Sequence, residues 1–216
     1  MSLALTLALV GWTMGRGESA RPERPPVPAS PMTQLEQSTD LLQSSLRRSF
    51  PAWSPEAGVQ RSLVKRLVGG SMDYGEISRR ALGGTWDKLS NQDRSEFVAS
   101  LAKLIESRYR VRESYLGADF RLHFEREAVS THGSASVFAR LSGRSRGKPL
   151  QMAIEYRLLL KGDRWVVYDL VTDGDSLLES YRETFDRIIR RESFGGLLHR
   201  IKRQADAQDR DDVREE

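Results

Sequence analysis

Cysteine is absent from the 216-residue chain. This absence excludes disulfide bonds, thiolate zinc sites, a cysteine nucleophile and a lipoprotein-type acylated cysteine. Histidine is scarce: His123, His132 and His199 have no spacing typical of metal ligands. The chain also contains no glycine-rich phosphate loop after a strand and no nucleophile elbow. We therefore expect no catalytic residues, no metal site and no cofactor.

The net charge is also small, because 34 basic residues are nearly balanced by 30 acidic ones, for a formal charge of +4. Mean hydropathy is −0.52, which indicates a soluble protein. The aromatic residues fall on apolar stripes and not among the basic ones, so we expect no nucleic-acid partner. We interpret a basic run near the carboxyl end as a solvated helix face. The alternative is a surface that docks on anionic headgroups or on an acidic protein. Its members are Arg187, Arg190, Arg191, Arg200, Lys202 and Arg203.

Long hydrophobic runs are missing too. The apolar stretch over residues 3–14 is shorter than the about 20 residues that span a bilayer. Small residues follow it, so residues 1–20 resemble a secretory signal, although no Lys or Arg precedes the apolar part. A buried amino-terminal helix is the alternative. Five prolines over residues 21–32 predict an extended linker. The folded domain is expected over residues 33–203, and residues 204–216 are expected to form a charged, disordered tail.

Helical periodicity dominates the first half of that domain. Apolar residues recur at helical spacing over 35–46 and 59–68, and Gly69-Gly70 is expected to end the second helix. A short helix follows over 73–83. Ser90 and Asp93 have the spacing of a capping box at the start of a fourth helix, whose apolar stripe predicts a buried face. That stripe consists of Phe97, Leu101, Leu104, Ile105 and Tyr109.

The period changes to two after residue 119 and predicts an antiparallel meander of about four strands. A hairpin turn over 161–164 would pair Leu160 with Trp165, Leu158 with Val167, and Tyr156 with Asp169. The last strand is apolar on both faces. Ser176 then has the position of an N-cap for a long amphipathic helix. Helices, then a curled sheet, then helices make an α+β fold.

Three blocks of residues carry a further pattern. The first contains Asp73-Tyr74, Ile77-Ser78, Ala81-Leu82-Gly83, Trp86, Leu89-Ser90, Arg94 and Phe97. The second contains Tyr156-Arg157-Leu158 and Trp165-Val166-Val167-Tyr168-Asp169-Leu170, and the third Gly174-Asp175-Ser176-Leu177, Tyr181-Arg182, Phe185, Ile188-Ile189 and Phe194-Gly195-Gly196-Leu197. In this order and spacing they resemble the MlaC family, the auxiliary component of toluene-tolerance ABC transporters. Asp175 departs from the small or apolar residue usual there.

The resemblance implies a periplasmic protein with an NTF2-like curved sheet that packs against helices around an apolar pocket for phospholipid acyl chains. It also implies a monomer that shuttles lipid between an outer-membrane lipoprotein complex and an inner-membrane ABC transporter with an MCE-domain subunit, and so maintains outer-membrane lipid asymmetry. An NTF2-like small-molecule enzyme or binding module is the alternative function. A catalytic His or Asp deep in the pocket, beside a convergent polar partner, would favour it.

The candidate lipid-binding residues form two walls. One wall is a sheet face with Val137, Ala139, Met152, Ile154, Tyr156, Leu158 and Val167, and the other is helical, with Leu101, Leu104, Tyr181, Phe185 and Ile188. An ordinary filled core is the competing interpretation. Asp169 is expected on the sheet face as a satisfied buried carboxylate, bonded to Tyr156 or to an arginine, with a role near the lipid headgroup as the alternative.

Overall fold

The structure is a computed structural model that describes residues 29–46, 50–51, 53–110, 121–145 and 148–214. Its helices are α1 (Pro31–Leu46), α2 (Pro55–Ser71), α3 (Tyr74–Leu82), a 3-10 turn (Gly83–Lys88), α4 (Asn91–Arg110) and α5 (Leu177–Arg214). Its strands are β1 (Arg121–Val129), β2 (Ser134–Ser145), β3 (Lys148–Lys161), β4 (Arg164–Thr172) and β5 (Asp175–Ser176). The expected signal segment, residues 1–20, lies outside the described residues.

The five strands form one antiparallel sheet in the order β1-β2-β3-β4-β5. The predicted α+β meander is confirmed, with the two-residue β5 as an addition. Cross-strand partners share a face, so the pairs Val137–Tyr156 and Ala139–Ile154 place four apolar side chains on one side. Leu158 and Val167 pair on the same side. We call this side the apolar face of the sheet.

The register between β3 and β4 shifts in the middle of the hairpin. Leu160 pairs with Trp165 and Leu158 with Val167, as predicted from the turn. The next pairs are Arg157–Asp169 and Tyr156–Leu170, so β4 contains one extra residue, Tyr168, at this point. A bulge of one residue moves every later side chain to the opposite face. The predicted Tyr156–Asp169 pair is therefore wrong, and Leu170 takes the place beside Tyr156.

Asp169 lies on the other side of the sheet, where it joins β4 to the start of α5. Its side chain is 1% exposed. The carboxylate accepts hydrogen bonds from Arg157 Nη1 at 3.1 Å, Ser176 Oγ at 2.8 Å and the Leu178 backbone N–H at 2.9 Å. Ser176 Oγ in turn accepts from the Glu179 N–H at 3.0 Å, which confirms Ser176 as the N-cap. Asp169 is a satisfied buried carboxylate as expected, and its partner is Arg157, not Tyr156.

Two hydrophobic cores lie on the two sides of the sheet. The helical core packs α3, α4 and α5 together around the fully buried Phe97, whose ring meets Phe185 edge to face at 5.6 Å. The sheet core lies between the apolar face and α1, with Leu35 against Val137 and Leu158. Val166 and Val167 are both buried, which confirms that β4 is covered on both sides.

Residues 29–32, the last part of the predicted linker, contact the folded domain, while residues 21–28 lie outside the described residues. Pro31 is buried at the first position of α1, and the Trp165 indole Nε1 donates to the Ala29 carbonyl at 3.1 Å. The Gln34 side chain accepts from the Trp165 N–H at 2.9 Å and donates to the Trp165 carbonyl at 2.6 Å. Gln34 thus pairs with the edge of the sheet as a strand residue would. The predicted boundary at 33 is wrong by a few residues because these contacts hold 29–32 in place.

Helix ends also differ from prediction at two points. Helix α2 passes through Gly69-Gly70 and ends at Ser71. Helix α5 has a kink at Ser193 (φ 75°, ψ 172°) that divides it into the arms α5a, residues 177–192, and α5b, residues 194–214. The predicted disordered tail after 203 is wrong, because α5b continues to Arg214 and buries Ala205 in the helical core.

Asp169→Ala should lower the free energy of unfolding by about 2–4 kcal/mol, because it leaves Arg157 and two donors at the start of α5 without their acceptor. Denaturant unfolding measures this. Asp163→Ala, in the exposed hairpin turn, is the matched control and should stay within about 0.5 kcal/mol of the parent protein. Equal unfolding midpoints for the two variants would contradict a structural role for Asp169.

A second prediction concerns pH. The Glu76 carboxylate accepts from Arg79 Nε at 2.9 Å and Arg80 Nε at 2.6 Å, and these bonds lower its pKa from 4.5 to about 2. Because the folded pKa is the lower one, this stabilisation is present above pH 4.5 and is lost as the pH falls towards 2. Glu76→Gln should cost about 1 kcal/mol at pH 7. Its unfolding free energy should converge on that of the parent protein as the pH falls through about 2, and a gap that is as large at pH 2 as at pH 7 would contradict the ion-pair origin.

Candidate ligand-binding site

A cavity of about 180 Å³ lies between the apolar face of the sheet and the helices α1 and α2. We call α1 and α2 together the α1–α2 hairpin. Tyr156, Val167 and Leu170 form the sheet side of the cavity. The helical side is lined by Leu35, Ser38, Thr39 and Leu42 from α1, and by Leu67, Val68, Ser71 and Met72 at the end of α2. The bulge in β4 contributes directly, because it places Leu170 in this wall instead of Asp169.

The serine hydroxyls in the wall are satisfied within their own helices. Ser38 Oγ donates to the Gln34 carbonyl at 2.9 Å, and Ser71 Oγ donates to the Leu67 carbonyl at 2.8 Å. A hydroxyl bonded to the carbonyl four residues earlier presents mainly its Cβ to the surroundings. These serines therefore widen the cavity without adding groups that demand a polar ligand.

The hairpin is attached to the sheet at the amino end of α1 and at the carboxyl end of α2. Gln34 bonds both backbone groups of Trp165. At the other attachment the Asp73 N–H donates to the Val167 carbonyl at 2.8 Å, and Lys161 forms an ion pair with the Asp73 carboxylate. Where α1 ends and α2 begins, the Gln60 amide donates to the Ser45 carbonyl at 2.5 Å, which joins the two helices to each other. The cavity is thus clamped from one end.

The structure brings together the predicted sheet wall. Val137, Ala139, Met152, Ile154, Tyr156, Leu158 and Val167 all lie on the apolar face. Tyr156 and Val167 border the cavity. Val137 and Leu158 are fully buried in the sheet core next to it. The sheet half of the predicted site is thus one continuous apolar surface.

The predicted helical wall lies elsewhere. Leu101, Leu104, Tyr181, Phe185 and Ile188 belong to the helical core, so their prediction as the wall opposite the apolar face is wrong. The physical reason is that the stripes of α4 and α5 pack against each other and α3, as in the Tyr181–Phe185 stack at 5.2 Å. The helical wall of the cavity consists instead of apolar residues of α1 and α2. The sequence shows that these helices are amphipathic but does not show which surface they cover.

A second groove lies on the helical side, between α4 and the two arms of α5. It encloses about 760 Å³ and is bordered by Leu104, Tyr181, Phe185 and Ile188 among others. Its rim is charged, with Glu192, Arg200 and Arg203. Arg200 is bonded to Glu192 at 2.7 Å. The groove lies where the kink at Ser193 divides α5 into its two arms.

The described part of the chain shows no helix that is long and apolar enough to cross a membrane. Within the same residues, no three His, Asp or Glu side chains are grouped so that they could hold a metal ion. The histidines are exposed and lie on separate elements: His123 on β1, His132 in the β1–β2 turn and His199 on α5b.

Comparison with known proteins agrees with this architecture. The family model described as "MlaC protein" matches residues 36–203. The intermembrane phospholipid transport system binding protein MlaC of Haemophilus influenzae is 20% identical over 177 residues, which are 82% of each chain. The solved structure of the phospholipid-binding protein from Ralstonia solanacearum in complex with a phospholipid has a TM-score of 0.67 at 18% identity, over 83% of this chain and 99% of that one.

The matched region contains every described helix and strand apart from the first turn of α1 and the end of α5b. It also contains the three sequence blocks over 73–97, 156–170 and 174–197, so the resemblance found in the sequence is confirmed. The chain belongs to the MlaC family.

Proposed function

We propose that this protein is a periplasmic phospholipid carrier that binds acyl chains between the apolar face of its sheet and the α1–α2 hairpin. The observation that carries the proposal is the cavity itself, whose wall is apolar and whose serine hydroxyls are already bonded within their helices. The family and the phospholipid-bound relative from Ralstonia point to the same class of ligand.

Affinity would come from the acyl chains. Each buried methylene contributes about 0.8 kcal/mol, so roughly eight methylenes contribute about 6 kcal/mol without any polar contact. Such binding is tight enough to keep a lipid out of water and carries no strong preference for one headgroup. A carrier that accepts lipid from one membrane and delivers it to another needs this combination.

The cavity in the structure is smaller than the about 300–1,000 Å³ typical of ligand pockets. A phospholipid would therefore enter by moving the α1–α2 hairpin away from the apolar face. Because Gln34 and Asp73 attach the hairpin at one end, it would open at the other end, where α1 passes into α2. Acyl chains would then slide in past Leu42 towards Tyr156.

The partners follow from the family and the name of the Haemophilus relative, which belongs to an intermembrane phospholipid transport system. We propose that the carrier exchanges lipid with an inner-membrane ABC transporter that has an MCE-domain subunit and with an outer-membrane lipoprotein complex, acting as a monomer without catalysis. The mainly apolar wall of the cavity favours a lipid carrier over an enzyme of NTF2-like shape. Its described polar side chains are three hydroxyl residues of the helices and Tyr156.

The first test is the lipid content of the protein purified from cells that export it. We expect native mass spectrometry to show one bound phospholipid, and extraction followed by exchange to show uptake of a labelled phospholipid. A protein that emerges without lipid and takes up no labelled phospholipid would refute the carrier function.

A second test locates the site. Ser38→Trp and Ser71→Trp fill the cavity from the helical wall and should lower phospholipid occupancy at least fivefold. Ser62→Trp is the matched control, because Ser62 Oγ makes the same bond to its own helix, at 2.9 Å to the Gly58 carbonyl, but is exposed. Ser180→Trp fills the groove between the arms of α5 and should leave occupancy unchanged. Loss of lipid in Ser180→Trp alone would move the site to that groove.

A further inference from the structure

The side of the sheet opposite the apolar face is open to solvent along β1, β2 and β3. We call this side of the three strands the outer face. The strand register places one set of side chains on it, and every member is exposed or half-buried. The members are Arg121, His123, Arg126 and Ala128 on β1, Ser136, Phe138, Arg140, Ser142 and Arg144 on β2, and Pro149, Gln151, Ala153, Glu155 and Arg157 on β3.

The charged groups of the outer face are mostly cations, and all of these cations are arginines. Five arginines share the face with Glu155 and with the bulge residue Glu125, which reaches it by accepting from Arg140 Nε at 2.8 Å. The formal charge of this set is +3, against +4 for the whole chain. Several of the remaining members are alanine or serine, so the long arginine side chains extend beyond short neighbours.

The arginines of the two outermost strands are close to one another. Arg121 pairs with Ser142, which places it diagonally to both Arg140 and Arg144 on the same face. Diagonal neighbours in a sheet are about 7–8 Å apart. Like charges at such distances repel one another, and an anionic group placed against them relieves the repulsion.

Arg126 is held in position without an ion pair. Its guanidinium lies over the Phe138 ring, 3.5 Å from the ring centroid. Within the described part of the chain, no carboxylate pairs with Arg126 or with Arg121, and Glu155 is already bonded to Arg157 at 3.3 Å. A guanidinium that is stacked on a ring still has its N–H donors available at its edges.

We infer that the outer face is a docking surface for an acidic patch on a partner protein, with Arg121 and Arg126 at its centre. The guanidinium fork binds a carboxylate through two parallel hydrogen bonds. Arginine is also enriched at protein interfaces, whereas lysine is depleted there. The residue type and the charge of the outer face thus select the same kind of partner.

A bilayer with anionic headgroups is the competing occupant, and the outer face suits it less well. Helices and surfaces that lie on a membrane combine basic residues with apolar side chains that insert below the headgroups. None of the mostly exposed large hydrophobic residues in the described part of the chain lies on the outer face. The charge is therefore present without the insertion.

The inference rests on the proposed function, in which the carrier exchanges lipid with two membrane complexes. The outer face and the cavity lie on opposite sides of the sheet. A partner docked on the outer face would therefore leave the α1–α2 hairpin free to move. We expect changes on the outer face to alter docking without altering the phospholipid content.

The test is binding of the mature protein to the purified MCE-domain subunit and, separately, to the purified lipoprotein complex, measured by biolayer interferometry at two salt concentrations. We expect the parent protein to bind at least one of them, more weakly at the higher salt. Replacing both Arg121→Glu and Arg126→Glu should weaken this binding on the order of tenfold, because two attractions become repulsions. Replacing both by Gln removes the charges without reversing them and should weaken it about threefold. The Gln pair also serves as the test if the Glu pair does not fold, which thermal unfolding checks.

The matched control replaces Arg187→Glu and Arg203→Glu, two exposed arginines of the basic run on α5. It should bind as the parent protein does. Weaker binding by this control, with unchanged binding by the outer-face variants, overturns the inference in favour of α5. Unchanged binding by all variants, or a parent protein that binds neither complex, also overturns it. So does an outer-face variant that loses only its co-flotation with phosphatidylglycerol vesicles, which would assign the face to a bilayer.

The phospholipid content of each sample separates this inference from the proposed function. A parent protein that contains phospholipid but binds neither complex remains a carrier and lacks the docking surface. One that binds through the outer face without containing or taking up phospholipid has the surface but is not a carrier.

Discussion

The bulge at Tyr168 is the local constraint on which both sides of the sheet depend. By adding one residue to β4 it turns Asp169 away from the apolar face and Leu170 towards it. On one side this leaves the cavity wall free of charge. On the other it supplies the carboxylate that fixes the start of α5 through Ser176 and Leu178. Without the shift, a buried charge would face the cavity and the first turn of α5 would lack its acceptor, at a cost of several kcal/mol on each count.

The two cores hold different helices against the two sides of the sheet. The helical core is filled by aromatic and branched side chains, such as Phe97 against Phe185 and Leu197 in the same cluster. It anchors α3, α4 and α5 to the side of the sheet that carries Asp169. The α1–α2 hairpin meets the other side through a smaller sheet core and through backbone bonds concentrated at one end. The helical core is thus the larger of the two, and the hairpin on the other side is the part that we propose moves to admit a ligand.

Much of this was accessible from the sequence because it depends on local patterns. The period of two placed seven residues on one sheet face, and the Ser176 N-cap and the hairpin turn at Gly162 were correctly located. The pairing beyond Leu158 was not, because a bulge leaves the alternation of apolar residues in β4 looking regular when both faces are buried. In Trp165, Val166 and Val167 every position is apolar, so the only sign of the slip in register in β4 is Asp169, a carboxylate that regular alternation would place on the apolar face.

The helical wall was mispredicted for a different reason. An amphipathic stripe shows that a helix is buried on one side but does not identify the surface that buries it. The stripes of α1 and α4 are of the same kind, yet Leu35 meets the sheet and Leu101 meets α5. Helices α4 and α5 pack on each other, whereas α1 and α2 cover the face that the proposed ligand would need.

The small size of the cavity is itself consistent with a carrier. A sealed apolar void costs about 24 cal/mol per Å³, whereas the cavity of 180 Å³ in the structure is small and partly open to solvent. A void of roughly 500 Å³ kept open without ligand would cost about 12 kcal/mol, as much as the entire stability of a typical domain. A protein that must survive both empty and loaded therefore does better with a wall that closes when the ligand leaves. A hairpin held by Gln34 and Asp73 at one end provides such a wall, because it can close over Tyr156 and Val167 without disturbing the helical core.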